Sequence, residues 1–214
     1  MLGVGKIERL DLPDPLVILG FGGHARSVAD VALDLGVQHL VFVDENARKG
    51  ETFHNFQVVR SLSGDWESGA FMLAIGDNVK RRLAFDVLVS GNKSIYTLAS
   101  KNAYVGIGAE ICSGTFVAHG AYIGPEVKVG HGCILNTACV IEHECSVGNF
   151  CHISVNATLA GRCRIGNNVM IGAGATIIDG VRIASNVVVG AGAVVVNDID
   201  DPGTYVGVPT HKIY

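Results

Sequence analysis

Between residues 105 and 200 the apolar positions recur at every sixth residue. Val105, Ile111, Val117, Ile123, Val129, Leu135, Ile141, Val147, Ile153, Leu159, Ile165, Ile171, Ile177, Ile183, Val189 and Val195 are sixteen successive hits without an insertion. The residue four further on is restricted as well, being Ala, Cys, Val, Thr or Ile, as at Ala109, Thr115, Cys133 and Val169. An unbroken period of six predicts a parallel β-helix. Six residues make one short strand and one corner, and three such units close a triangular coil of eighteen. The branched residue faces inward and stacks on its equivalents one coil away. The second inward position lies near the corner, where only small side chains fit. Glycine follows many hits, as at Gly106, Gly124, Gly148 and Gly166, and is expected where a corner needs φ > 0. With rungs about 4.8 Å apart, the stack makes a prism about 25 Å tall.

The first hundred residues carry a different pattern. Residues 1–15 read as a lead-in ending at Pro13 and Pro15. A buried strand is predicted at Leu16–Leu19, then a glycine turn. A helix follows with Val28, Val31, Ala32 and Leu35 on one face, stopped by Gly36. Further strands are predicted at Leu40–Val43 and Phe71–Ile75. A second helix runs over Val79–Ser90, capped by Asp77 or Asn78. Residues 47–68 read mostly as loop with a short strand at Val58–Val59. A strand at Ser94–Leu98 leads into the repeat, and the tail beyond Val195 leaves it through turns. Alternating strands and helices imply a small parallel α/β sheet. The expected organisation is a lead-in over 1–15, a half-Rossmann-like α/β domain over 16–100, and an all-β helix with its tail over 101–214.

Composition narrows the function. The net charge is −4 with no basic run, which argues against nucleic acid as a partner. No apolar run approaches eighteen residues and the first fifteen lack a hydrophobic core segment, so neither a membrane span nor a signal peptide is expected. Five of the six cysteines, Cys133, Cys139, Cys145, Cys151 and Cys163, fall at the second inward position. They read as small buried hydrophobes, and free thiols suit a reducing cytoplasm.

Gly20-x-Gly22-x-x-Ala25, between a strand and a helix, is the arrangement that cradles phosphates on backbone N–H groups and a helix N-terminus. Gly23 adjoins it, and His24 stands where it can meet a phosphate or a sugar. Asp44 and Glu45 end the next strand, the place from which a carboxylate receives ribose hydroxyls. Some 85 residues are too few for both halves of a dinucleotide, whereas a nucleoside diphosphate sugar needs one such half. His119, His131 and His143 are spaced by twelve and fall on three different sides of the prism, so no metal site is expected. His143 lies between Glu142 and Glu144, and a carboxylate beside an imidazole fixes its tautomer and raises its basicity.

The stretch Gly132–Cys145, continuing through Gly148-Asn149-Phe150-Cys151-His152, resembles the left-handed β-helix acetyltransferases that modify nucleotide-linked amino sugars. The bacillosamine-pathway N-acetyltransferases and the sialic acid O-acetyltransferase-like group share it. The glycine turn, Ala74-Ile75-Gly76-Asp77-Asn78 and the terminal Gly207-Val208-Pro209 fit the same family. The resemblance spans roughly residues 16–212 and implies a left-handed winding. It casts His143 as general base, Glu144 as its orienting partner, the Gly161 N–H as oxyanion donor and Asn136 as a flanking residue. It places acetyl-CoA against His152, Ala173 and Ala191, and the nucleotide sugar against Gly22, Gly23, His24, Asp44, Glu45, Gly76 and Asn78. It further implies a homotrimer with shared sites. One departure is Asp44-Glu45, where the family often has two aspartates.

The function expected is acetyl-CoA-dependent N-acetylation of the C4 amine of a UDP-, GDP- or dTDP-linked 4-amino-4,6-dideoxy sugar, feeding glycan or O-antigen assembly in the cytoplasm, without a metal. Its rivals are O-acetylation of a sialic acid-like sugar and a non-catalytic nucleotide-sugar-binding module.

Overall fold

The computed structural model describes residues 14–62 and 69–213. The predicted lead-in lies almost wholly outside them, as do residues 63–68 of the segment read as loop.

Five strands form the first sheet: β1 (Leu16–Leu19), β2 (Leu40–Val43), β3 (Thr52–Phe53), β4 (Phe56–Val59) and β5 (Ala70–Leu73). Their order is β3-β4-β2-β1-β5. β1 pairs in parallel with β2 and β5, and β4 with β2. The segment read mainly as loop contains an antiparallel hairpin, β3–β4, which forms the edge of an otherwise parallel sheet. Helix α1 (Gly23–Leu35) buries Ala25, Val28, Ala29, Val31 and Ala32, and ends at Gly36 with φ 103°. Helix α2 (Asn78–Ser90) is capped by Asp77, whose carboxylate accepts the Lys80 N–H at 2.8 Å. The predicted strand at Ser94–Leu98 is not continuous. Ile95 bridges to Phe71, and β6 (Leu98–Ala99) then opens the prism.

From β6 to Val194–Val195 the chain winds through short parallel strands stacked in three sheets, with partners eighteen residues apart throughout. Every hit from Val117 to Val195 is buried. The second inward position is buried as well, including all five of its cysteines. Their thiols are more than filler: Cys133, Cys145, Cys151 and Cys163 donate to the carbonyls of Gly148, Ala160, Gly166 and Ile178 at 3.0–3.2 Å.

Two expectations need correcting. The glycine after a hit is not the left-handed residue. That conformation falls two residues later, on Gly108, Gly114 and Gly120 and on non-glycines such as Glu144 (φ 59°) and Arg162 (φ 58°). Gly166 is required for space, since a Cβ there would stand 2.6 Å from the Ser185 nitrogen of the next coil. The tail does not simply leave through turns. Gly203–Val206 extends the stack, pairing in parallel with Val187–Val189, and His211–Lys212 folds back on it.

The α/β part and the prism share one core. Leu98, Phe116, Ala118 and Ile134 of the prism pack with Ala25, Val28 and Ala29 of α1. A polar chain fastens the same junction. The Asp30 carboxylate meets His119 Nε2 at 3.2 Å, and His119 Nδ1 meets Ser100 Oγ at 2.6 Å. A carboxylate only accepts, so Nε2 carries the proton and Nδ1 accepts from the serine. Ser100 is buried and its oxygen also receives the Asn102 N–H, so this serine is a clamp and not a nucleophile. Lys101 pairs with Asp34 of α1 at 2.6 Å beside it.

Candidate active site

A cleft of about 710 Å³ opens at the C-terminal ends of β1, β2 and β5. Gly20, Gly22, Gly23, His24, Asp44, Glu45 and Gly76 line it. Gly20 has φ 101°, and a Cβ there would meet the Ala74 carbonyl at 3.0 Å, so only glycine makes this turn. No side chain caps α1 at Gly22, which leaves the helix start open to an anion. Asp44 is not simply waiting for a ligand. One carboxylate oxygen accepts the Phe21 N–H at 2.8 Å and the other the Asn46 N–H at 2.9 Å. It therefore shapes the glycine turn, with lone pairs left on both oxygens. Lys80, which the sequence reading passed over, supplies a cation to the cleft wall.

At the inner wall of the cleft lies a half-buried cluster. His24 packs edge-on against Phe116, with its ring 6.5 Å from that of His152. Among the described residues, its Nε2 is buried without a hydrogen-bond partner. Burial, with smaller contributions from His152 and Arg81, brings its pKa down to about 3. Burial and then the Arg81 cation bring His152 to about 4. Both rings are neutral at neutral pH. Asn136 Oδ1 accepts the Thr137 N–H at 2.8 Å, which turns its NH₂ toward His152 Nε2 at 3.2 Å. His152 thus accepts at Nε2 and carries its proton on Nδ1.

Arg81, also passed over, is fully buried at the junction. Nε donates to Gly132 O at 2.6 Å, Nη1 to Ile75 O and Gly76 O, and Nη2 to Asn78 Oδ1, Phe150 O and Cys151 O. Asn78, expected at the substrate, is held by this guanidinium and reaches Val169 O at 3.3 Å. Nothing in the local pattern flags Arg81. Its place among charged residues of α2 reads as a solvated face until the helix is laid on the prism.

His143 stands on another corner. Its Nδ1 is 2.9 Å from Glu144 Oε2, so Nδ1 carries the proton and the Nε2 lone pair is free. A Cβ on Gly161, one coil further on, would stand 2.7 Å from His143 Cε1 and 2.8 Å from Nε2. The imidazole therefore lies directly over the Gly161 backbone. Among the described residues, the Gly161 N–H has no backbone acceptor. Replacing Gly161 by Ala is expected to lower kcat about 100-fold, since displacing a reacting group by about 1 Å has that effect. Thermal unfolding should barely change; an unaltered kcat would show that the ring's seat over residue 161 is immaterial.

Ala173 and Ala191 are exposed on the corner that carries Asn136. One chain thus makes two groups. The cleft, His24, His152, Asn136, Ala173 and Ala191 belong to one side, and His143, Glu144 and Gly161 to the next corner. Seven residues from Asn136 to His143 carry the chain around one edge of the prism, from the sheet of Ile134–Leu135 to that of Val140–Ile141.

Residues 15–88 match the PglD N-terminal domain, and residues 162–197 the bacterial transferase hexapeptide (six repeats). The acetyltransferase domain of PglB from Neisseria gonorrhoeae superposes with a TM-score of 0.87 at 32% identity, over 93% of this chain and 99% of that one. The chain belongs to the left-handed β-helix nucleotide-sugar acetyltransferases. It is an acyltransferase with acetyl-CoA as co-substrate; the same Neisseria domain is known in complex with acetyl coenzyme A. PerB from Caulobacter crescentus, in complex with CoA and GDP-perosamine, superposes at 0.84 with 29% identity, over 94% of this chain and 97% of that one. No curated protein sequence matches. Among the described residues no cluster of His, Cys, Asp and Glu is placed to hold a metal, and no helix is long and apolar enough to cross a membrane.

Proposed function

We propose that this enzyme transfers the acetyl group of acetyl-CoA to the C4 amine of a nucleotide-linked 4-amino-4,6-dideoxy sugar, working in the cytoplasm toward glycan or O-antigen assembly. The observation that carries the reading is His143, with Nδ1–H tied to Glu144 and a free Nε2 lone pair over Gly161. Nε2 takes a proton from the substrate nitrogen, which binds as ammonium. The amine attacks the thioester carbonyl, and the Gly161 N–H meets the developing oxyanion. The imidazolium then returns its proton to the departing thiolate of CoA. Glu144 holds the ring in the productive tautomer and supports its charge.

The nucleotide binds in the cleft. Its diphosphate lies on the start of α1, with Lys80 as the neutralising cation and Asp44, Glu45 and Gly76 around the nucleoside. The neutral His152, with Asn136 behind it, donates from Nδ1 to the acetyl carbonyl, and the pantetheine arm passes Ala173 and Ala191. These groups and His143 occupy different corners of one prism, so a complete site takes corners from two subunits. That supports a homotrimer, as does the apolar outer surface of Met170 and Val188, which are 39% and 38% exposed.

The test is thiol release from acetyl-CoA with a panel of UDP-, GDP- and dTDP-linked 4-amino-4,6-dideoxy sugars. Turnover is expected with one nucleotide class and an amide at C4. Acetylation of a free sialic acid in preference, or no turnover despite nucleotide binding, would overturn the reading.

A further inference from the structure

His143, Gly161 and Asp179 occupy the same corner position in three successive coils. The middle one has no side chain, so the imidazole above and the carboxylate below both reach toward the same point over its backbone. Asp179 Oδ2 lies 3.2 Å from the point where a Gly161 Cβ would stand, and His143 Nε2 lies 2.8 Å from the same point. The two atoms are therefore at most about 6 Å apart, and a nitrogen set between them is within hydrogen-bond reach of both. Asp179 is not free to swing away. Arg162 Nη2 holds its two oxygens at 2.7 and 2.6 Å. That single nitrogen leaves further lone pairs on each oxygen. Glu144 is engaged with His143 and Arg162 with Asp179, so the further charge on this corner is Glu142, and the space between Nε2 and Oδ2 favours a cation.

We propose that Asp179 is the residue that makes this site select an amine over a hydroxyl, by receiving the substrate ammonium beside the base. The inference rests on the reading of His143 as that base. An ammonium has three N–H donors. One points to His143 Nε2 and one to Asp179 Oδ2. The first proton passes to Nε2, giving imidazolium, and the nitrogen regains the lone pair that attacks the thioester. The second N–H stays on the nitrogen, donating to the carboxylate and holding the nitrogen in line. Once the imidazolium has protonated the departing CoA thiolate, Nε2 takes this second proton from the acylated nitrogen and releases it to solvent, leaving the neutral amide. A hydroxyl has one proton, so it satisfies one acceptor and leaves the other facing a lone pair. A site built around a donor rejects the analogue that lacks it.

The test compares the wild-type protein with Asp179→Asn in the full chain, measuring binding of UDP-, GDP- and dTDP-linked 4-amino-4,6-dideoxy sugars and of their 4-hydroxy counterparts, and kinetics with the amino sugar that turns over. Loss of a hydrogen bond to a charged group is expected to weaken amino-sugar binding and raise its KM about tenfold. The KM for acetyl-CoA and the affinity for the 4-hydroxy counterpart should not move. Asp179 is about half exposed, and the unchanged 4-hydroxy affinity also reports an intact fold. Equal weakening of amino and hydroxy ligands, or an unchanged preference for the amine, would overturn the proposal. His143→Asn measured alongside separates the two failures: an undiminished rate there removes the base, whereas a retained amine preference in Asp179→Asn removes the selector alone.

Discussion

Replacing His143 by Asn lowers kcat by about 10²- to 10⁴-fold, the range that a positioned general base contributes. Asparagine keeps the approximate size and polarity of the ring but has no lone pair of suitable basicity to place over Gly161. The fold should be untouched, because the side chain is 44% exposed and, among the described residues, it hydrogen-bonds Glu144 alone. The backbone rung survives the change, since His143 O accepts the Arg162 N–H at 2.9 Å whatever the side chain. Unfolding midpoint and nucleotide affinity are therefore expected to match the wild type. A rate within about threefold of wild type, where a general base should contribute far more, would remove His143 from the mechanism. It would leave the Gly161 column as architecture alone.

The largest effect on stability is expected at Arg81. Changing it to Met should lower the unfolding free energy by at least about 3 kcal/mol, with each buried acceptor left without a partner contributing about 1–3 kcal/mol. Gly132 O and Phe150 O lose a donor in the buried part of the junction, and Ile75 O, Gly76 O and Asn78 Oδ1 lose one at its partly exposed edge, where water can replace it. Cys151 O is less affected, because it also accepts the Ile134 N–H. Lys should rescue little, as one ammonium cannot reproduce a planar fork of five donors. Urea unfolding decides the matter, and a loss below about 1 kcal/mol, less than one orphaned acceptor is worth, would mean that water replaces the guanidinium. The same change unfastens Asn78 and the Ile75–Gly76 turn from the prism. Weaker nucleotide binding should therefore accompany the lost stability.

How much of this was legible beforehand differs by element. The prism was, because a period of six repeated without interruption has one structural solution, and each hit is tested by its neighbours above and below. β1, α1, β2 and α2 were also legible, from short apolar runs, Gly36 and Asp77. Of the hairpin Thr52–Val59 only the end of its second strand, Val58–Val59, was legible, because its pattern is short and it lies on a sheet edge, with Thr52 and Gln57 exposed. The strand Gly203–Val206 was missed because it leaves the period. Its residues are only partly buried, so no apolar alternation marks it. In the site, His143 and Glu144 were visible as adjacent residues, and Gly161 followed from the arithmetic of eighteen. Arg81 and Lys80 look alike on paper: neighbouring cations on one helix, of which one is sealed in the junction and the other lines the cleft.

What the chain determines by itself is everything local or periodic: the coil, its rung spacing, the glycine turn after β1 and the pairing of an imidazole with the next carboxylate. These depend on residues close in sequence or related by a constant step. Only the tertiary structure decided that α1 lies across Phe116 and Ile134, that Arg81 bridges helix and prism, and that His24 and His152 come together at the inner wall of the cleft. It also decided that Asp44, expected as an acceptor for ribose hydroxyls, braces the glycine turn, and that a carboxylate stands below His143 across Gly161. Those outcomes turn on desolvation and on which unpaired groups meet when two surfaces close. Neither quantity belongs to any single stretch of sequence.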